Sequence, residues 1–442
     1  MSIRQHLRFS LRGGQVSNQT AVFEVRPPLE AERFTSYLRH LTFFICVCTL
    51  FEGYDTLIIS LALPYLERDF QADSQTLGFA VSVISLGTIA AFLPVRLADK
   101  YGRRPVLLAV VTSYTLFTVA TAFSTGIYDF VALQFVARMF MVSEIGVGSI
   151  VLTEELPARY RGRAISLMIG SGLMGGVIGS LSFPLLVETR LGWRMLYLMG
   201  GILLPLLVVY WNRIQETRRW LDQATQGHPQ RKSLVQEITE TLTVFRRKYR
   251  RSLFAGTSIW FLTNFWSSAV LFFFTYYAMQ ERGWSPEMVG KTLTLAYILG
   301  SSGYLLAGPL LDSVGRKVTA CLYFGLGGAS AVLCFQAETN LLIAVAYAVV
   351  IAMNAVWAIS ATITSEIFPT SIRATANAVV NNLLGRTGMV LAPALVGILS
   401  KSLGSVGDAV TLIALASFFC IPVVVFLLPE TKRQVLEDIA VS

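Results

Sequence analysis

The sequence predicts an all-α integral membrane protein, with twelve transmembrane helices in two pseudo-symmetric six-helix bundles. Three observations carry this reading. The 442-residue chain is 54% hydrophobic and 14% charged, with a mean hydropathy of +0.59, whereas a soluble globule carries roughly 25% charged residues. Twelve apolar stretches approach or exceed the ~20 residues that cross ~30 Å of hydrocarbon at 1.5 Å rise per residue. A charged string, DKYGRR at Asp99 to Arg104, recurs as DSVGRK at Asp312 to Lys317, each time between two apolar stretches. Such a loop cannot lie within a bilayer and must turn the chain at its surface. Its repetition implies two equivalent halves.

In order, the spans fall near residues 41–63, 76–97, 105–124, 129–152, 164–187 and 195–212, then 253–279, 289–311, 318–336, 340–363, 374–400 and 407–428. The expected organisation is a tail (1–40), an N-terminal six-helix bundle (41–212), a polar linker (213–252), a C-terminal six-helix bundle (253–428) and a short tail (429–442). Orientation follows from Lys and Arg. With the N-terminal tail in the cytoplasm, 28 of the 36 basic residues lie on that side and six on the other, so the positive-inside rule puts both termini in the cytoplasm. The expected location is the plasma membrane, or the inner membrane of a bacterium.

Composition excludes other classes. The net charge of +9 has no aromatic-interleaved basic patch, so no nucleic-acid partner is expected. The first forty residues are polar and basic, without the apolar core of a signal peptide. Cys46, Cys48, Cys321, Cys334 and Cys420 all fall in apolar spans and read as small core residues, not as a metal or disulfide set. No string resembles a Walker loop, a metal cluster or a nucleophile triad, so neither an enzyme nor ATP-driven transport is expected. RRKYRR at Arg246 to Arg251 is placed to lie against anionic lipid.

The repeat extends past the first motif. Asp99 and Asp312 are 213 residues apart; Pro157 and Arg161 in TEELPARYRG match Pro369 and Arg373 in TSEIFPTSIRA at 212; Glu216 in QETRRW matches Glu430 in PETKRQ at 214. On these motifs the chain resembles a major facilitator superfamily transporter from about Arg39 to Glu437. The resemblance implies the major facilitator fold, with two halves rocking about a central site. QETRRW and PETKRQ also resemble signatures of sugar porters and related metabolite:proton symporters, although the first lacks both prolines. The fifth span, IGSGLMGGVIGS, lacks the Gly-Pro pair of drug:proton antiporters.

The repeated loops read as a cytoplasmic gate. Gly102 and Gly315 permit a tight turn. Asp99 is expected on the positive N-terminus of a neighbouring helix, and Arg103 or Arg104 against Glu154 or Glu155. Arg161, Glu216, Asp312, Arg316, Glu366, Arg373 and Glu430 complete the expected network, which would hold the two halves together when the cavity faces outward. The alternative is plain topology anchoring by positive charge.

A charge at mid-bilayer costs several kcal/mol unless it is paired or lines a cavity, so the site is sought among polar groups inside spans. Glu52 and Asp55 share one face of the first span; Gln134, Arg138 and Glu144 lie in the fourth; Arg386 lies in the eleventh, after Asn377, Asn381 and Asn382. Asp55 is the first choice for proton coupling, with Glu52 and Glu144 as the other candidates. It resembles the first-span acid of proton-coupled sugar and aromatic-acid symporters. An Asp between shielded walls and a mobile cation can bind and release a proton in each cycle; the alternative is a permanent salt bridge to Arg138. Arg138 and Arg386, from opposite halves, suit a carboxylate substrate, or else they neutralise the three acids. Trp260, Asn264, Asn354, Trp357 and Asn381 add flat faces and amides as candidate substrate contacts, with interface anchoring as the alternative for the indoles. The glycines Gly170, Gly172, Gly175, Gly176 and Gly179 of the fifth span have small-xxx-small spacing that lets helices approach closely.

The expected function is secondary active transport of a small polar metabolite, an organic acid or a sugar, by proton symport and alternating access. Export by proton antiport is one alternative; a non-transporting nutrient sensor is the other, and the short tails speak against it. The expected partners are the substrate, protons and membrane lipids around a monomer. The proton gradient stands in place of any cofactor.

Overall fold

A computed structural model describes residues 34–225 and 242–430. Most of the N-terminal tail, the middle of the linker and most of the C-terminal tail lie outside these residues. Eleven helices are long and apolar enough to span a bilayer. They are α1 (Ser36–Phe70), α2 (Ser74–Tyr101), α3 (Arg103–Thr121), α4 (Ile127–Glu155), α5 (Ala158–Val187), α7 (Arg247–Glu281), α8 (Pro286–Ser313), α9 (Arg316–Gln336), α10 (Asn340–Glu366), α11 (Arg373–Leu403) and α12 (Val406–Leu427). The remaining expected span is the shorter α6 (Arg194–Tyr210), broken by a 3₁₀ turn at Gly200–Ile202. Together they make the twelve-helix fold that the sequence predicts. Several helices outrun the expected spans, because hydropathy marks only the part inside hydrocarbon: α1 continues to Phe70 past the polar Glu67, Arg68 and Asp69.

Local signals set the helix ends. The Thr35 hydroxyl accepts from the Leu38 N–H at 3.3 Å to cap α1. The Asp73 carboxylate accepts from the Thr76 N–H at 2.9 Å to cap α2, and these bonds hold its carboxyl below the ordinary range. Ser285 and Ser405 cap α8 and α12 in the same way. Large apolar side chains such as Leu185, Leu305 and Phe426 point outward, each more than 70% exposed, as a bilayer-facing surface requires.

Glycine brings the helices of the N-terminal half together. A Cβ at Gly53 would overlap the Gly172 backbone, and one at Gly175 would overlap the Leu50 carbonyl, so α1 and α5 touch main chain to main chain. Gly170 has nothing within 4 Å.

The halves meet along three seams, all toward the end opposite the repeated loops. On α1–α7, Ser60 donates to Thr275 at 3.2 Å, Tyr276 to Glu67 at 2.7 Å and Gln280 to the Pro64 carbonyl at 3.3 Å. On α2–α11, Ser74 meets Ser400 at 2.9 Å and Ser82 donates to the Val390 carbonyl. On α5–α8, Ser180 meets Thr294 at 2.9 Å, and Gly290 packs on Pro184. One apolar cluster runs through these seams from Tyr54 and Leu57 into the C-terminal half, while the loop-end core of the N-terminal half, from Leu38 to Ile214, stands apart. Among the described residues the contacts between the halves therefore gather at one end, and the halves are parted at the end carrying Gly102 and Gly315.

Gly175→Leu is expected to lower stability by about 1–3 kcal/mol through overpacking against α1. Gly170→Ala should leave it within about 0.5 kcal/mol. Thermal unfolding of the two purified variants in detergent checks both.

Candidate functional site

The repeated loops build the same cluster twice. Gly102 and Gly315 have φ of 103° and 118°, in the region that favours glycine. This turn directs the first N–H groups of α3 and α9 toward a carboxylate delivered from far along the chain. The N–H groups of Arg103 and Arg104 donate to Glu216 at 2.8 and 3.1 Å; those of Arg316 and Lys317 donate to Glu430 at 3.0 and 3.1 Å. The guanidinium of Arg103 grips Glu154 at 2.9–3.1 Å, and that of Arg316 grips Glu366 at 2.9–3.1 Å. Each also donates back to its own helix–loop corner, at the Ala98 and Leu311 carbonyls.

The expectation for Asp99 is corrected. Glu216, not Asp99, occupies the helix N-terminus. Asp99 points outward with its side chain 71% exposed and pairs with Arg103 one turn on, at 3.1 Å, as Asp312 does with Arg316 at 3.3 Å. Arg104 donates to the Trp211 carbonyl, and Glu155 accepts from the Arg218 N–H at 2.7 Å. Arg161 and Arg373 donate to the carbonyls of Leu156 and Phe368, closing the ends of α4 and α10. The expected pairing of one half with the other is absent among the described residues at this end: every ion pair described there stays within its own half.

At mid-membrane, Glu52 of α1 lies within electrostatic range of both Arg138 and Arg386, one cation from each half, without an ion pair within 4 Å to either. Thr56 ties the arrangement together, donating to Glu52 at 3.2 Å and accepting from Arg138 at 3.2 Å. Arg138 Nη2 and Arg386 Nε have no hydrogen-bond partner. Asp55 turns away from this group, into the interior of the N-terminal half. It accepts from Thr118 of α3 at 3.0 Å and faces Gly200 at the break in α6, where a Cβ would lie 3.6 Å from Oδ1. No ion pair within 4 Å joins Asp55 to Arg138 among the described residues, so the permanent bridge weighed for Asp55 is not formed. Glu144 is fully buried and accepts from Thr49 at 3.4 Å.

Other candidates are drawn into packing. Gln134 donates to Thr121 at 2.9 Å, a tie between α4 and α3. Trp260, Asn264 and Asn354 are at most 5% exposed inside the C-terminal half. The Trp260 indole donates to Thr364 at 3.2 Å and packs edge-on against Trp357; Asn264 and Asn354 donate to carbonyls one turn back on their own helices. Their N–H groups are thus taken up inside the C-terminal half, while Asn264 Oδ1 and Asn354 Oδ1 are buried without a hydrogen-bond partner. Trp357, Asn381 and Arg386 are half-buried, the last two on and just after a π-helical stretch, Ala378–Gly385. Sequence reasoning missed Thr56 and Thr118, since a hydroxyl inside a span carries no charge signal.

A family model described as Major Facilitator Superfamily matches residues 45–279 and 259–440. The chain belongs to the Major Facilitator Superfamily. Among curated relatives, the niacin transporter NiaP of Acinetobacter baylyi is 26% identical, covering 88% of this chain and 93% of that protein. The 4-hydroxybenzoate transporter PcaK of Pseudomonas aeruginosa is 25% identical over 80% of this chain and 84% of its own. Among solved structures, a D-xylose-proton symporter superposes with a TM-score of 0.74 at 19% identity, covering 90% of this chain and all of that one. A bacterial homologue of the lysosomal transporter Spinster, inward-facing and unoccupied, superposes with 0.69 at 14% identity, covering 89% and 95%. The chain is a multi-pass membrane transporter and not an enzyme.

Glu216→Gln replaces a carboxylate that serves two backbone donors of α3 and one of its own strand of chain, at Thr217. Charge-assisted bonds of this kind contribute roughly 1.5–3 kcal/mol each, so the variant should unfold well before wild type. Asp99→Asn, at an exposed pair worth at most about 1 kcal/mol, should not. Thermal midpoints of the two variants provide the comparison.

Proposed function

We propose that this transporter imports a small organic carboxylate together with a proton, with the repeated-loop end and both termini in the cytoplasm of a plasma membrane. The observation that carries the reading is that Arg138 and Arg386, one in each half, each have an unpartnered buried N–H and both lie within electrostatic range of Glu52. Two guanidinium forks across the parting between halves suit a two-oxygen anion. The printed names of relatives support the same chemistry: niacin, cis,cis-muconate, 4-hydroxybenzoate and gallate are carboxylic acids or their anions. The basic excess on the repeated-loop side supports the orientation.

In the empty site Glu52 balances the two cations. A substrate carboxylate competes for the same N–H groups and would leave two anions facing each other. A proton on Glu52 removes that repulsion and frees both arginines for the substrate. Release toward the parted end then lets Glu52 lose the proton and return to the arginines. Asp55, one turn along α1, accepts from Thr118 on the N-terminal-half side of the helix. The site needs no cofactor beyond the proton gradient, and a single chain contains all of it.

Proteoliposomes loaded at neutral pH and diluted into acidic medium should accumulate 4-hydroxybenzoate or nicotinate, and collapse of the gradient should abolish accumulation. Glu52→Gln should lose gradient-driven accumulation while keeping substrate counterflow, and Arg386→Gln should raise KM about 10- to 100-fold, the equivalent of one lost charge-assisted contact. Accumulation that ignores the imposed gradient, or an Arg386→Gln variant with unchanged KM, contradicts the proposal. If Asp55→Asn rather than Glu52→Gln uncouples transport, the coupling acid is Asp55.

A further inference from the structure

Tyr297 of α8 is half-buried and lies on the seam between the halves. Its ring rests on Gly176 of α5: a Cβ there would stand 2.8–3.0 Å from three ring atoms, so only glycine leaves it room. One turn along α5, Gly172 faces Glu52, whose Oε2 would lie 3.8 Å from a Cβ at that position. Glu52 is close enough for its charge to be felt at the Tyr297 hydroxyl. Deeper along the same seam, Ser180 meets Thr294 and Pro184 meets Gly290, and the two halves are sealed. Tyr297 thus meets α5 one turn from the glycine that faces Glu52, between that level and the sealed part of the seam. Its neighbour two turns on, Tyr304, gives its hydroxyl to the Asn354 carbonyl at 3.2 Å. The Tyr297 hydroxyl makes no such bond to a described residue, and it is not among the buried groups left without a partner. A phenol on the seam between the halves whose hydroxyl has no described protein partner is available to a ligand.

We propose that Tyr297 is a specificity-determining residue: its ring floors the cavity beneath the flat body of the bound acid, and its hydroxyl pairs with a polar ring atom of that acid. This rests on the reading of Arg138 and Arg386 as the carboxylate clamp. With the carboxylate held at the level of Glu52, the opposite end of a one-ring acid reaches the next turn outward, where Tyr297 stands. The favoured class is a single-ring carboxylic acid carrying a hydroxyl or ring nitrogen distal to the carboxylate. A hydroxyl-to-hydroxyl bond of the neutral kind contributes up to about tenfold in affinity, and an offset ring contact adds to it without regard to the substituent.

The test is a comparison of 4-hydroxybenzoate with benzoate in counterflow, for wild type and Tyr297→Phe. Wild type is expected to have a KM for 4-hydroxybenzoate about tenfold below that for benzoate. In Tyr297→Phe the ratio should fall to near one, through the 4-hydroxybenzoate value alone. The same ratio in both proteins overturns the proposal, as does an equal loss for both substrates, which would mark a structural role. Competition by 4-hydroxybenzamide separates the two readings. If the amide inhibits wild type as well as the acid does, the carboxylate clamp fails; if the acid alone inhibits and the ratio is unmoved by Tyr297→Phe, only the role of Tyr297 fails.

Discussion

A charge inside hydrocarbon must be matched locally, and that constraint orders almost everything polar in this chain. Water is absent from the bilayer core, so an acid or base there is stable only beside a counter-charge, a hydroxyl or a cavity. Glu52 has Thr56 and two arginines, Asp55 has Thr118, and Glu144 has Thr49. Each carboxyl is met by a threonine from α1 or α3. The hydroxyls are the small change of the site: too weak to fix a charge permanently, and enough to hold it in place while its main partner changes. All three acids belong to the N-terminal half, whereas the matching interior of the C-terminal half is built from indoles, amides and hydroxyls. Arg386 is the cation that the C-terminal half presents to them.

The same constraint explains the contrast between the two ends of the molecule. At the repeated-loop end, where water is available, full carboxylate–guanidinium forks form beside helix N-termini. At the sealed end and along its seams, the halves are joined mainly by hydroxyl pairs and by glycine faces such as Gly290 against Pro184. Interfaces of this kind come apart without stranding an ion in lipid. The exceptions are the Tyr276 bond to Glu67, near the membrane surface next to Arg68 and Asp69, and the Lys401 bond to Gln75 at 3.3 Å.

Much of this was legible in the sequence because it is written there by hydropathy and by repetition. The twelve spans, the family and the loop clusters follow from apolar length and from motifs spaced 212 to 214 residues apart. What escaped was direction. Asp99 sits in the motif and Glu216 lies outside it, yet the turn at Gly102 aims the backbone donors at Glu216, and no spacing rule records where an N–H points. Trp260 and Asn264 have the composition of a binding surface and the burial of a core, since one helical step separates a wall of the cavity from its interior. Tyr297 went unnoticed for the opposite reason. A tyrosine within a span resembles its apolar neighbours, and only Gly176 on the facing helix reveals that it crosses between halves.

The two loop clusters are built alike, each from residues of its own half. Arg103, Glu154 and Glu216 satisfy one another within the N-terminal half, as do Arg316, Glu366 and Glu430 within the C-terminal half. Each therefore clamps two or three helix ends of its own half together. The carboxylate that receives the first N–H of each helix lies 113 or 114 residues further along the chain, so the fold of a whole half must be in place before its loop is locked.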